Sequence, residues 1–146
     1  MSGRTCLENN ILNEIQTVST PKEAMSAQRL PYFVGISNRT VGAKEISMNI
    51  VVIPPGACAE PHYHEIFESG IYLMSGRVIT YFGDELDRYV INEPGDFIFI
   101  PPNLLHQPFN LSKSEEAKAI IVRNDPSERE AVVHCEPKRV TKLSHY

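Results

Sequence analysis

At 146 residues, with 42% hydrophobic and 22% charged residues, the chain has the size and make-up of one ordinary globular domain. Its net charge of -4 argues against a nucleic-acid partner, which needs a basic face, and no apolar run reaches the roughly 20 residues of a membrane-spanning helix. Cys6, Cys58 and Cys135 are odd in number and widely spaced, and no apolar core follows Met1. Reduced thiols and a cytoplasmic location are therefore expected rather than a disulfide framework.

Taken in chain order, the first signal is Thr20-Pro21-Lys22-Glu23. It reads as an N-cap threonine, a proline at the first helical position and a capping-box glutamate, which predicts a short helix from about Pro21 to Arg29, ending before Pro31. From Glu45 the pattern changes to strands. Ile46 to Ile53 alternates and then turns apolar on both sides. Ile71–Met74 and Val78–Phe82 flank Ser75-Gly76, a hairpin signal. Turns at Gly83-Asp84 and Glu93-Pro94-Gly95-Asp96 bracket a strand near Leu86 to Ile91, and Phe97–Ile100 follows. Further strands are expected over His106–Leu111 and Ala117–Arg123. This spacing of short strands predicts an all-β, antiparallel barrel or jelly roll. Residues 1–44 form an N-terminal arm carrying the short helix, 45–134 the barrel, and 135–146 a polar tail.

The chemistry concentrates on three histidines. His62 and His64 stand two apart, beside the breakers Pro54, Pro55, Gly56 and Pro61. A helix would point the pair about 200° apart, whereas an extended backbone puts both rings on one face. Two imidazoles side by side are half of a metal site, and His106, some forty residues on, offers the other half.

The spacing is that of two motifs. Gly56, five residues, His62-Tyr63-His64, three residues, Glu68 and then Gly76 make the first; Gly95, Pro101-Pro102-Asn103, His106 and Asn110 make the second. On these residues the chain resembles the cupins, over residues 56–110 and, with the flanking strands, roughly 45–123. The resemblance implies a double-stranded β-helix barrel in which His62, His64, His106 and Glu68 hold one divalent transition metal. Fe, Mn, Ni, Zn and Cu all suit such donors. Gln107 and Asn110 are candidates to orient the rings.

Two positions depart from the pattern. Asn103 stands where the motif has glycine, and asparagine is among the residues that best tolerate a left-handed turn. The distance back from Gly76 points at Ser69 rather than Glu68, so the fourth-ligand slot belongs to one or the other, depending on whether a bulge precedes Gly70. Glu68 is otherwise a solvated loop carboxylate. Arg123 shares strand parity with Ala117, Ala119 and Ile121. If that face lines the barrel, its guanidinium can hold a substrate carboxylate; the alternative is a surface arginine paired with Asp125 or Glu128. Cys58 is expected as a small buried filler, and His134 and His145 as ordinary histidines.

The resemblance implies a metalloenzyme acting on a small organic molecule, with oxygenation, decarboxylation and isomerisation all open, or else a non-catalytic binding module for a sugar or metabolite. It also implies a homodimer. Strands apolar on both faces, Ile50–Ile53 and Phe97–Ile100, call for an outer cover, supplied by a second subunit or the N-terminal segment.

Overall fold

A computed structural model describes residues 14–26, 29–127 and 132–135. The alternating segments form strands: β1 (Glu23–Met25), β2 (Pro31–Ile36), β3 (Ser47–Ile53), β4 (His62–His64), β5 (Ser69–Ser75), β6 (Val78–Phe82), β7 (Arg88–Asn92), β8 (Phe97–Ile100), β9 (His106–Asn110), β10 (Ala117–Arg123) and β11 (Val132–His134). They build two antiparallel sheets, one of six strands in the order β1-β2-β3-β10-β5-β8 and one of five in the order β11-β4-β9-β6-β7. Successive strands repeatedly change sheet, which is the jelly-roll arrangement.

The helix expected over Pro21–Arg29 is not formed. Glu23–Met25 is strand β1, paired with β2 through Glu23 opposite Phe33 and Met25 opposite Pro31. The capping signal was real but weak. A helix of about nine residues is marginal without tertiary support, and Tyr32-Phe33-Val34, a run of strand formers, offers β1 a partner. Helix α1 (Asn38–Val41) lies later instead, capped by the Ser37 side chain, which accepts from the backbone N–H of Arg39 and Thr40, while Thr40 Oγ1 accepts from Ser37 N at 2.9 Å.

Ser75-Gly76 is not a hairpin turn. β5 pairs with β8 and β10, whereas β6 pairs with β7 and β9, so this corner carries the chain from one sheet to the other. Gly76 is required there: its φ is 85°, and a Cβ would sit 2.6 Å from the Cβ of Ala117.

Register stacks the interior in rows. Ser47, Arg123 and Ser69 are partners across β3, β10 and β5. The rows behind them are Asn49, Ile121 and Ile71, then Val51, Ala119 and Leu73. Leu73, Val78, Ala117 and Ala119 belong to the main buried cluster, with Leu30, Ile53 and Ala59. Ile79 and Tyr81 alternate with Val78 and Thr80 along β6 and pack with Leu86 and Leu105 in a second cluster. Among the described residues no helix is long and apolar enough to cross a membrane. His145, Cys6 and the tail from residue 136 onward lie outside the described residues.

Candidate metal centre

β4 is three residues long, and its alternation puts His62 and His64 inward with Tyr63 between them. β9 runs antiparallel beside it, and His62 and His106 are direct register partners. Asn103 turns the chain into β9 with φ 63°, the left-handed conformation its side chain tolerates. All three imidazoles are buried. Their ring centroids lie 4.3 Å apart for His62 and His106, 5.2 Å for His62 and His64, and 5.9 Å for His64 and His106. One potential ligand atom from each falls within 4.8 Å of the others.

Hydrogen bonds orient the rings. His62 Nδ1 lies 2.6 Å from the carbonyl oxygen of Glu60, and His106 Nδ1 lies 2.8 Å from that of Leu104. A carbonyl only accepts, so both Nδ1 atoms carry the proton and both Nε2 atoms carry the lone pair. His64 Nε2 lies 3.2 Å from Arg123 Nη2, and a guanidinium only donates, so this Nε2 also presents a lone pair. Burial, reinforced by His106 and opposed by the Glu60 carbonyl, pushes the His62 pKa down to about 2. Burial likewise pushes His106 down to about 4, with Arg123 acting in the same direction and the Leu104 carbonyl against it. Both rings are therefore neutral at ordinary pH, the form in which imidazole binds a metal. The donor set fits a divalent transition metal.

Of the two candidates for the fourth slot, Ser69 is the buried one. β5 starts at Ser69, which is 1% exposed, while Glu68 is exposed and its backbone N–H donates to Asn124 Oδ1 at 2.9 Å. Glu68 does not join the His62–His64–His106 group. Ile66, at φ 58°, turns the loop before the strand, and the β5–β10 ladder shifts register where Lys118 meets Ser75 and Ala119 meets Leu73. Arg123, the register partner of Ser69, is 4% exposed. Its Nε donates to Ser69 Oγ at 2.9 Å. The surface pairing considered for Arg123 is not what holds it: it points inward, Asp125 Oδ1 accepts from Ser127 N at 2.9 Å, and Glu128 lies outside the described residues.

The side-chain amides of Gln107 and Asn110 donate to backbone carbonyls. Gln107 Nε2 donates to the Ala59 carbonyl at 3.0 Å. Asn110 Nδ2 donates to the carbonyls of Ile53 and Glu115 at 3.0 and 2.8 Å, tying the end of β3 to the segment before β10. The backbone carbonyls that do orient the rings belong to Glu60 and Leu104, each two residues before its histidine, and backbone acceptors leave no mark in side-chain spacing. Cys58, expected to be buried, is exposed; partial burial of its sulfur holds the thiol above its ordinary range, with the Gln107 amide acting the other way. His134 is exposed and pairs with Glu60 at 3.2 Å. Tyr72 stacks on Phe97, with centroids 4.9 Å apart, outside the site.

Behind the polar row lies a cavity of about 90 Å³. His62, His106 and Arg123 line one end, and residues such as Ile53, Ile71, Leu73, Val78 and Ile98 line the rest.

The chain and its fold resemble those of known proteins. The chain is 32% identical over 121 residues to germin-like protein subfamily T member 3 of Arabidopsis thaliana, covering 80% of this chain and 51% of that protein. It therefore spans about half the length of that relative. The fold matches an oxalate decarboxylase from Lactobacillus farciminis, solved as a formate complex, with a TM-score of 0.65 at 23% identity over 78% of this chain and 33% of that one. An oxalate oxidase bound to the substrate analogue glycolate matches with a TM-score of 0.65 at 20% identity over 85% of this chain and 63% of that one. A Bacillus subtilis oxalate decarboxylase, described with Mn(II) centres, matches with a TM-score of 0.64 at 20% identity over 80% of this chain and 30% of that one. The cupin domain family matches residues 49–123, from the inward Asn49 to the arginine beside the histidines, and on that match the chain belongs to the cupins.

Proposed function

We propose that the protein is a metal-dependent enzyme that acts on a small carboxylate-bearing molecule. The observation that carries this reading is the convergence of three buried imidazoles, those of His62 and His106 neutral with Nε2 unprotonated and that of His64 accepting from Arg123 at Nε2, beside that inward-facing arginine. His62, His64 and His106 would hold one divalent ion, of the group Fe, Mn, Ni, Zn and Cu. When bound, the ion supplies Lewis-acid polarisation of substrate oxygens and, if redox-active, electron transfer.

The chain's own residues account for binding and orientation. Arg123 is the carboxylate holder: Ser69 Oγ fixes one edge of its guanidinium, and Nη2 faces the His64 ring. The carbonyls of Glu60 and Leu104 keep the His62 and His106 rings in one tautomer. Apolar walls behind the site exclude water and strengthen its electrostatics. With three histidines and, among the described residues, no fourth His, Cys, Asp or Glu in the group, the shell leaves positions for substrate, which favours catalysis over a closed structural site. The relatives described with formate and glycolate support a small oxygen-rich substrate.

The test is metal analysis of the purified protein with oxygen-uptake and carbon dioxide release screens. One divalent ion per chain is expected in the native protein, and none in His62→Ala or His106→Ala. Full metal content in either variant contradicts the assignment. Stoichiometric metal with no turnover in any screen would instead support a non-catalytic binding module.

The same proposal includes a homodimer in a reducing, cytoplasmic compartment. Phe97 and Phe99 on the sheet-edge strand β8 are 86% and 63% exposed, and Tyr72, Met74 and Val122 continue the apolar face. Such a patch calls for a cover. Cys58 is a free thiol, which fits a reducing environment. Phe97→Lys is expected to shift the dimer to monomer in light scattering; a native protein that is already monomeric contradicts this part.

A further inference from the structure

Resting on the metal-centre reading above, the cavity narrows the class of substrate. Its two ends differ in chemistry. The polar end presents the His62 and His106 rings and the Arg123 guanidinium. A cationic fork beside a cation held by neutral imidazoles attracts a carboxylate there. The remaining walls are mostly apolar, with Val51, Ile53, Ile71, Leu73, Val78 and Ala119 among them; Ser26, Tyr32, Thr80 and Lys118 are the polar exceptions, and the Lys118 ammonium is already paired with Glu116 at 3.3 Å. A second carboxylate buried against those apolar side chains would lose its hydration with little in return. A dicarboxylate as compact as oxalate could engage only the polar end and would leave the apolar recess unfilled. With about 90 Å³ in the cavity as a whole, the recess has room for a short aliphatic body.

We infer that the ligand is an amphiphilic monocarboxylate, with its carboxylate held at Arg123 and the histidine site and a short alkyl body in the recess walled by Ile53, Leu73, Val78 and Ala119. Recognition has two parts, a charge-assisted clamp and a hydrophobic measure of chain length. The clamp sets the head group, and the recess discriminates among acids that share that head.

The experiment is isothermal titration calorimetry of the zinc-loaded protein with glyoxylate, pyruvate, 2-oxobutanoate and 2-oxopentanoate, and with oxalate. Glyoxylate, hydrated in water, sets the tail-less baseline; across pyruvate, 2-oxobutanoate and 2-oxopentanoate the keto-acid head is constant and only the tail grows. Affinity is expected to rise about fourfold per added methylene, following the transfer of about 0.8 kcal/mol per buried CH₂, with 2-oxopentanoate tighter than oxalate. Ala119→Leu, which fills the recess, is expected to keep its zinc and flatten the series. Equal affinities across the four acids in the native protein, or oxalate binding tightest, overturns the inference while leaving the metal centre standing. Zinc absent from the native protein at loading overturns both.

Discussion

Along β10 the inward residues run Ala117, Ala119, Ile121 and Arg123, and along the antiparallel β5 they run Ser69, Ile71 and Leu73, so that Arg123 meets Ser69 and Ala119 meets Leu73. The same two strands thus build both ends of the barrel interior. At one end they pack apolar groups whose burial drives folding. At the other they carry a guanidinium and a hydroxyl beside three imidazoles, each polar group held by a named hydrogen bond. Scaffold and site are one ladder, and what separates them is the position along the strand. Substitutions at the two ends should therefore separate stability from ligand chemistry.

The largest expected effect falls at the apolar end. Leu73 is 2% exposed, and Leu73→Ala is expected to cost about 2–5 kcal/mol in chemical denaturation, the usual range for a core leucine. Its metal content should stay at the native level under folding conditions. Loss of metal without loss of stability would show that the two ends are not separable.

At the polar end the signs reverse. Arg123→Gln removes the cation that faces His64 and the donor that shares its lone pair. Metal affinity is expected to rise, because a like charge and a competitor both go. Carboxylate affinity of the metal-loaded protein is expected to fall about tenfold or more, as for a hydrogen bond to a charged group. A variant that binds carboxylates as tightly as the native protein would remove Arg123 from the ligand site.

The smallest effect is expected at Glu68. It is exposed and lies outside the histidine group, so Glu68→Gln should change metal affinity less than about twofold in a competition titration. A large loss would mean that the loop before β5 rearranges to bring a carboxylate inward when the ion binds.

These residues also mark how far the sequence could be read. The strands Phe97–Ile100 and Ala117–Arg123 appear with the expected bounds, because each is a short run rich in strand-forming residues bounded by turn residues. The histidines meet because period-two geometry and a pair of turns leave few other outcomes. Glu68 and Ser69 could not be separated from spacing alone, since a single-residue bulge flips the parity and only register along the whole of β5 decides it. The helix at Pro21–Arg29 failed for the opposite reason: its local signal was sound, and a non-local pairing with β2 outweighed it. The Glu60 and Leu104 carbonyls were illegible because any residue type supplies a carbonyl. The recess, too, emerges only when rows from several strands are stacked.

The arrangement of donors around a bound ion tests the central claim most directly, through X-ray absorption at the metal edge of the loaded protein. Three imidazole nitrogens with the remaining positions filled by light oxygen donors is the predicted result, unchanged in Glu68→Gln and reduced by one nitrogen or abolished in His106→Ala. A spectrum with fewer than two imidazoles in the native protein, or one indifferent to His106, would contradict it.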